Sequence, residues 1–269
     1  MSPDLMFWLG LAFKIALTAG IVVTASVLVE RSGPFLGAII ASLPTAAAAA
    51  YILLGIEHPP QFVAASAVGS MAANAAVAVF ACVYAWTARS HGYFVTLAVA
   101  LAAWLACAAL FGTLAFGLIG ALLLNIVVYA VTFTVTMLLR DAAVARRTVK
   151  PTPADLVARA LTVGGFVAVV TTASHQIGSF ASGMFAVFPV AMASFMAILH
   201  PRLGGVAAGR VLAYAQAPLF GLVLGFAVVH LLAEQIGTWW SYLAGFLVCV
   251  VWNLMLWTLQ RARSRGAVR

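Results

Sequence analysis

The chain has 269 residues, 65% of them apolar and 7% charged, with a mean hydropathy of +1.13 and a formal charge of +8. Soluble domains carry about 25% charged residues, so this composition excludes a soluble enzyme, an ATPase module and a nucleic-acid reader. It predicts a polytopic membrane protein, because the apolar residues would fill eight or nine spans of about 20 residues.

Breaking the apolar runs at polar, Gly and Pro residues predicts nine helices, at 5–29, 35–56, 61–88, 93–111, 114–139, 154–174, 179–199, 206–232 and 237–259. The weakest divisions fall at Phe111-Gly112-Thr113 and at Gly178, and joining across one of them gives eight. The first span follows Met-Ser-Pro-Asp, without a basic leader or a small-residue cleavage site, so it is expected to be retained. It carries Lys14 about ten residues in. An amine at that depth must snorkel, pair or deprotonate. Glu30, Asp141 and Asp155 sit near span ends, and Glu57 is read as a residue of an outer loop, so no carboxylate partner is expected and an anionic ligand would fill the vacancy.

In the second span Pro44 removes an amide donor and pushes away the carbonyl of Ile40, while Ser42 and Thr45 flank it with hydroxyls. Pro189 does the same in the seventh span, freeing the carbonyl of Phe185. Such carbonyls are tolerated in a bilayer where they face protein, water or a bound solute. Either residue can equally be a plain kink. Asn74, Asn125, Gln216 and Asn253 are the other polar groups at depth, with interhelical hydrogen bonding as their default role. The candidate substrate-binding set is therefore Lys14, Ile40, Ser42, Pro44, Thr45, Asn74, Asn125, Phe185, Pro189 and Gln216.

Between the fifth and sixth spans a basic linker, residues 140–153, separates an N-terminal half, 1–139, from a C-terminal half, 154–269. Thr152-Pro153-Ala154-Asp155 has the pattern of a capped helix start. With nine spans and the N-terminus outside, thirteen of the fourteen Lys and Arg residues lie in or beside cytoplasmic connections, leaving only Lys14. Trp8, Trp86, Trp239, Trp240 and Trp257 then lie near span ends, at headgroup level.

An offset of 145 aligns residues 14–54 with 159–199 without gaps, with nine of 41 positions identical, including Gly20 with Gly165, Gly33 with Gly178, Phe35 with Phe180 and Pro44 with Pro189. The first copy would enter the membrane from outside and the second from the cytoplasm. The predicted fold class is thus all-α: about nine transmembrane helices in two inverted-topology repeats, a plan recurrent in secondary transporters. The segment GPFLGAIIASLPTAAAAAY, Gly33 to Tyr51, resembles the small GlpM-like integral membrane proteins of bacteria, and GSFASGMFAVFPVAMASF in the second half departs by lacking the Thr after Pro and the later Tyr. The resemblance implies an α-helical protein of the bacterial inner membrane and brings no catalytic residue.

Cys82, Cys107 and Cys249 lie in apolar stretches without disulfide or zinc spacing. His58, His175 and His230 map to the outer side from separate connections without ligand spacing, so no metal is expected. With no Walker A, GxSxG or HExxH motif, neither enzyme activity nor a cofactor is expected. The reading is a secondary transporter or permease that binds a small solute near the two intramembrane prolines, Pro44 and Pro189, the solute being anionic if Lys14 binds it. Its expected partners are membrane lipid and that solute or ion, not nucleic acid; oligomeric state is not encoded in these signals. The alternatives are a scaffold subunit of an envelope polysaccharide pathway and a channel.

Overall fold

The computed structural model describes residues 3–31, 45–114, 116–138 and 152–266. All the regular structure among them is helical: α1 (Pro3–Arg31), α2 (Thr45–Glu57), α3 (Pro60–Thr87), α4 (Tyr93–Thr113), α5 (Leu118–Met137), α6 (Pro153–Ala186), α7 (Val190–Leu203), α8 (Gly205–Ile236) and α9 (Thr238–Gly266). Six apolar helical stretches are long enough to cross a bilayer: α3, α4, α5, α8, α9 and the run Pro153–Leu203 that holds α6 and α7. The apolar part of α1, Trp8–Thr24, and the thirteen residues of α2 are shorter. The chain is an all-helical protein with the helices of a multi-pass membrane protein.

The helix boundaries follow local chemistry. Pro60 opens α3 at a position where the missing N–H has no intrahelical acceptor to lose. At the start of α6 the Thr152 hydroxyl accepts the Asp155 N–H at 3.2 Å, and the Asp155 carboxylate accepts the Thr152 N–H at 2.7 Å, the reciprocal cap its sequence predicts. At Gly178, where a division is expected, the backbone leaves helical geometry with φ 79°, ψ 171°, so two helical stretches meet there within α6 and the second runs to Ala186. A further break lies at Val187–Pro189. Pro189 cannot donate to Phe185, so the chain turns through Val187 N–H to Met184 and Phe188 N–H to Phe185 before α7 begins. The carbonyl of Phe185, expected to be free, is thereby occupied at 3.0 Å.

α3 is the core. It is buried around nearly its whole circumference and packs most extensively against α8, then α6, α4 and α5. Small residues allow this: a side chain at Gly69 would strike the Phe180 carbonyl, and one at Gly183 the Ser66 carbonyl. The outer helices turn large apolar side chains away from the protein, among them Phe94 on α4, Ile119 on α5 and Trp240 on α9. That distribution is inverted relative to a soluble core and suits a lipid surround.

α3 and α8 run antiparallel. His230 lies on the Ala64 carbonyl at 2.8 Å, Asn74 on the Leu219 carbonyl at 3.2 Å, and Gly209 on the Ala85 backbone. Helix starts also recur with one spacing: Thr45 and Val190, Pro60 and Gly205, and Tyr93 and Thr238 are each 145 residues apart.

Candidate functional site

Of the ten residues expected to bind substrate, Ile40, Ser42 and Pro44 lie outside the described residues, and Thr45 is described only as the first residue of α2. Asn74 and Asn125 come together where α3, α5 and α8 meet, and Gln216 lies one turn along α8 from the contact with α3. Asn74 donates to the Tyr129 hydroxyl at 2.9 Å and to the Leu219 carbonyl. Asn125, one turn before Tyr129 on α5, donates to the carbonyls of Met71 and Ala121, both at 2.8 Å. Gln216 stands three residues before Leu219, and Phe220 packs edge-on against Tyr129. All three amides are fully buried.

This seam is underbonded. The Oδ1 atoms of Asn74 and Asn125, both amide atoms of Gln216 and the hydroxyl of Thr132, one turn beyond Tyr129, are buried without a protein partner. A buried polar group without a hydrogen bond costs about 1–3 kcal/mol, so groups left this way in one seam need water or a solute. Asn253 bonds only to Cys249 of its own helix.

Pro189 stands apart from that seam. Phe188 packs edge-on against Trp104 of α4 and stacks on Phe166, while Phe185 lies 6.3 Å from Trp104 and is partly exposed. The Trp104 N–H is buried there without an acceptor. The two are linked through α3: Tyr51 bonds to the Ser70 hydroxyl, which donates to the Gly183 carbonyl at 2.7 Å, one turn from Asn74. Two grooves open elsewhere, about 260 Å³ between α8 and α9 and about 430 Å³ beside Trp86 and Arg89.

The expectation of an unpartnered Lys14 is overturned. Its ammonium lies 2.8 Å from Oε1 and 3.1 Å from Oε2 of Glu57, and also donates to Thr172 at 3.1 Å. Glu57 is the last residue of α2, not a loop residue, and helix packing carries it to α1. The pair is mostly buried, with side chains 13% and 19% exposed. Two histidines expected to be separate join it. His175 of α6 places Nε2 3.5 Å from Glu57 Oε2, and the His58 ring lies 4.4 Å from that of His175 and stacks on Phe62. Because the Ser174 hydroxyl donates to the Thr171 carbonyl, His58 must donate its Nε2–H to Ser174 at 2.6 Å. Burial, reinforced by His175, holds the His58 imidazole below the ordinary histidine range despite Glu57.

Glu57, His58 and His175 bring ligating atoms within 4.8 Å of one another, a donor set that a divalent transition ion accepts. The Lys14 ammonium already covers both carboxylate oxygens and Ser174 holds one His58 nitrogen, so an ion would have to displace both. His230 stays outside, bonded to Ala64.

At the opposite end of α6, Arg202 of α7 pairs with Asp155, its Nη2 2.8 Å from Oδ2 and 3.0 Å from Oδ1. Nearby, the Arg159 guanidinium lies over Phe195 at 5.3 Å, and Tyr84 bonds to His200 at 2.9 Å. Glu57 and Arg202 are 145 residues apart. No family model, curated protein or solved structure matches the chain.

Proposed function

We propose that the protein is a secondary transporter or permease of the bacterial inner membrane, built as two inverted halves around α5, that moves a small hydrogen-bonding solute. The observation that carries the reading is the contact of Asn74 with Leu219. These positions are one repeat interval apart, and they meet where α3 and α8 cross antiparallel. A helix that meets its own mate at matching positions, running the other way, has a twofold axis perpendicular to it; for membrane-crossing helices that axis lies in the bilayer plane. The contacts of Ala64 with His230 and of Ala85 with Gly209 are exchanged by the same interval, which supports the axis independently.

Two related packings can then exchange access to a central site from either side. The underbonded amides of Asn74, Asn125 and Gln216 beside this axis suit a solute with several donors and acceptors. The break at Pro189 adds the discontinuous helix that such proteins use to line a site. The preference for an anion loses its premise, since Glu57 fills the place left for one. The proposed topology keeps nine spans, with the N-terminus periplasmic and the C-terminus cytoplasmic, and the likeness of Gly33–Tyr51 to GlpM-like proteins agrees with the membrane. The close packing of α3 favours a second reading, a scaffold subunit of an envelope polysaccharide pathway, in which the duplication has no transport role.

The test is a thermal-shift screen of purified protein against amino acids, organic acids and sugar phosphates, followed by counterflow of any hit in proteoliposomes. Saturable stabilisation lost in Asn74→Leu or Gln216→Leu, with counterflow, supports transport. Stabilisation by no solute, or binding without counterflow, overturns it in favour of the scaffold. A reporter after Arg269 that reads periplasmic would overturn the inverted topology.

A further inference from the structure

We propose that the corner where the end of α3 meets the start of α8 is a binding site for the phosphate of an anionic phospholipid, gripped by Arg89 and Arg210. Gly205 and Gly209 let the two helices touch here: a side chain at Gly205 would strike the Ala88 carbonyl, and one at Gly209 the Ala85 backbone. Beside that contact opens the groove of about 430 Å³, walled by Trp86, Arg89, Ser90 and Val206. Its apolar wall faces outward, with Trp86 52% and Val206 41% exposed. Its polar wall is cationic. The Arg89 guanidinium lies over the Trp86 ring at 5.7 Å, which uses its face and leaves its N–H edges for an acceptor. Arg210 follows Val206 by one turn on the same face of α8, and helical side chains lean toward the N-terminus, which carries its guanidinium toward the groove.

The Arg210 head group is the part that needs a ligand. Its Nε and Nη2 are buried, and among the described residues nothing accepts from them. A buried cation is tolerated only where an anion and hydrogen-bond acceptors meet it. The ion pairs among the described side chains use Glu57 and Asp155, on Lys14, His175 and Arg202, so neither Arg89 nor Arg210 draws on a carboxylate. A phospholipid matches both walls. The anionic oxygens of its phosphate accept from the forked guanidinium groups, and its acyl chains run along Trp86 and Val206. A dissolved anion would use the polar wall alone.

The opposite corner of the same helix pair is the internal control. α3 and α8 meet again where His230 lies on the Ala64 carbonyl. There the positions one repeat interval from Arg89 and Arg210 are Glu234 and Ala65, and those from Trp86 and Val206 are Leu231 and Gln61. That corner packs without either arginine, and it carries an acidic residue where this one carries a basic residue. The lipid site thus belongs to one leaflet, the cytoplasmic one in the topology proposed above, and the site itself does not rest on the transport reading. A lipid bound there braces the core pair at one end only.

The experiment takes the full chain, delipidated in a neutral detergent, and reads native mass spectra and thermal shifts with phosphatidylglycerol, phosphatidylcholine or inorganic phosphate as the probe. Expected is saturable binding of phosphatidylglycerol with stabilisation, binding of phosphatidylcholine weaker by about tenfold or more, and no stabilisation by phosphate. Arg89→Gln, a change at an exposed position, should weaken phosphatidylglycerol binding by about fivefold, the effect of one basic residue on an anionic lipid, and Arg210→Gln by more. Arg210→Lys keeps the charge but not the fork, so it should retain part of the binding, and it serves if the glutamine variant does not fold. Arg202→Gln, at the same end but paired with Asp155, should leave binding unchanged. Equal affinity for the two lipids, or unchanged binding in Arg89→Gln, overturns the proposal. An equal loss in Arg202→Gln does so too, by showing the attraction to be the summed charge of that end. Saturable stabilisation by inorganic phosphate, removed in Arg89→Gln, would overturn the lipid in favour of a dissolved anion.

Discussion

Lys14–Glu57 and Asp155–Arg202 have the same closest approach, 2.8 Å, and each joins the first long helix of one half to the short helix that follows it. Their surroundings differ. Lys14 and Glu57 are 13% and 19% exposed and His175 lies 3.5 Å from their carboxylate, whereas Asp155, 16% exposed, shares its carboxylate with a helix cap and its partner Arg202 is 36% exposed. Removing Lys14 strands a covered carboxylate, whereas removing Arg202 leaves Asp155 its helix-cap bond and loses a cation that water already reaches.

The comparison breaks most visibly under single substitution. Lys14→Met should destabilise the protein by about 3 kcal/mol or more by leaving Glu57 buried and unpaired. The double variant Lys14→Met with Glu57→Gln should recover most of that in reversible SDS unfolding; single and double losses that simply add would show the two groups to be independent. Next comes pH. Burial lowers the His58 pKa in the folded protein, so the unfolded chain binds more protons between that value and about 6.5. Stability should therefore be full above about pH 6.5 and fall as pH drops through it, and His58→Phe should flatten part of that slope. Thr152→Ala should cost about 1 kcal/mol by removing one half of the α6 cap. Arg202→Gln should have the smallest effect, a melting shift within error at physiological salt; a loss as large as that of Lys14→Met would erase the distinction between the ends.

What was legible in the sequence is what depends on near neighbours. Pro60 and the Thr152-Pro153 pair mark helix starts because they act through the backbone within a few residues, whereas the fifth helix, expected from residue 114, starts at Leu118 after Gly117. The depth of Asn74, Asn125 and Gln216 followed from position within apolar runs, and all three are buried. Gly178 was visible as a division because a glycine readily takes the positive φ that leaves helical geometry, and the stretch after it seats Gly183 against Ser66. The partner of Lys14 was illegible because it depends on distant packing. Glu57 lies 43 residues away, and only the packing of α1, α2 and α6 brings it close. Without that packing, an acidic residue after an apolar run reads as a loop.

Ser66, Ser70 and Asn74 recur every four residues on α3, which lines them along one side of the helix. Ser70 finds the Gly183 carbonyl and Asn74 finds Leu219, both on segments translated more than a hundred residues later. Until the ribosome has delivered α6 and α8, nothing from them can cover this stripe. Each uncovered polar group weakens insertion by about 1 kcal/mol or more, in the helix that is also the least apolar of the six. The stripe thus gives assembly an order of its own: a chain cut before α8 is expected to integrate α3 less completely than the full chain, which glycosylation mapping of the two products would measure.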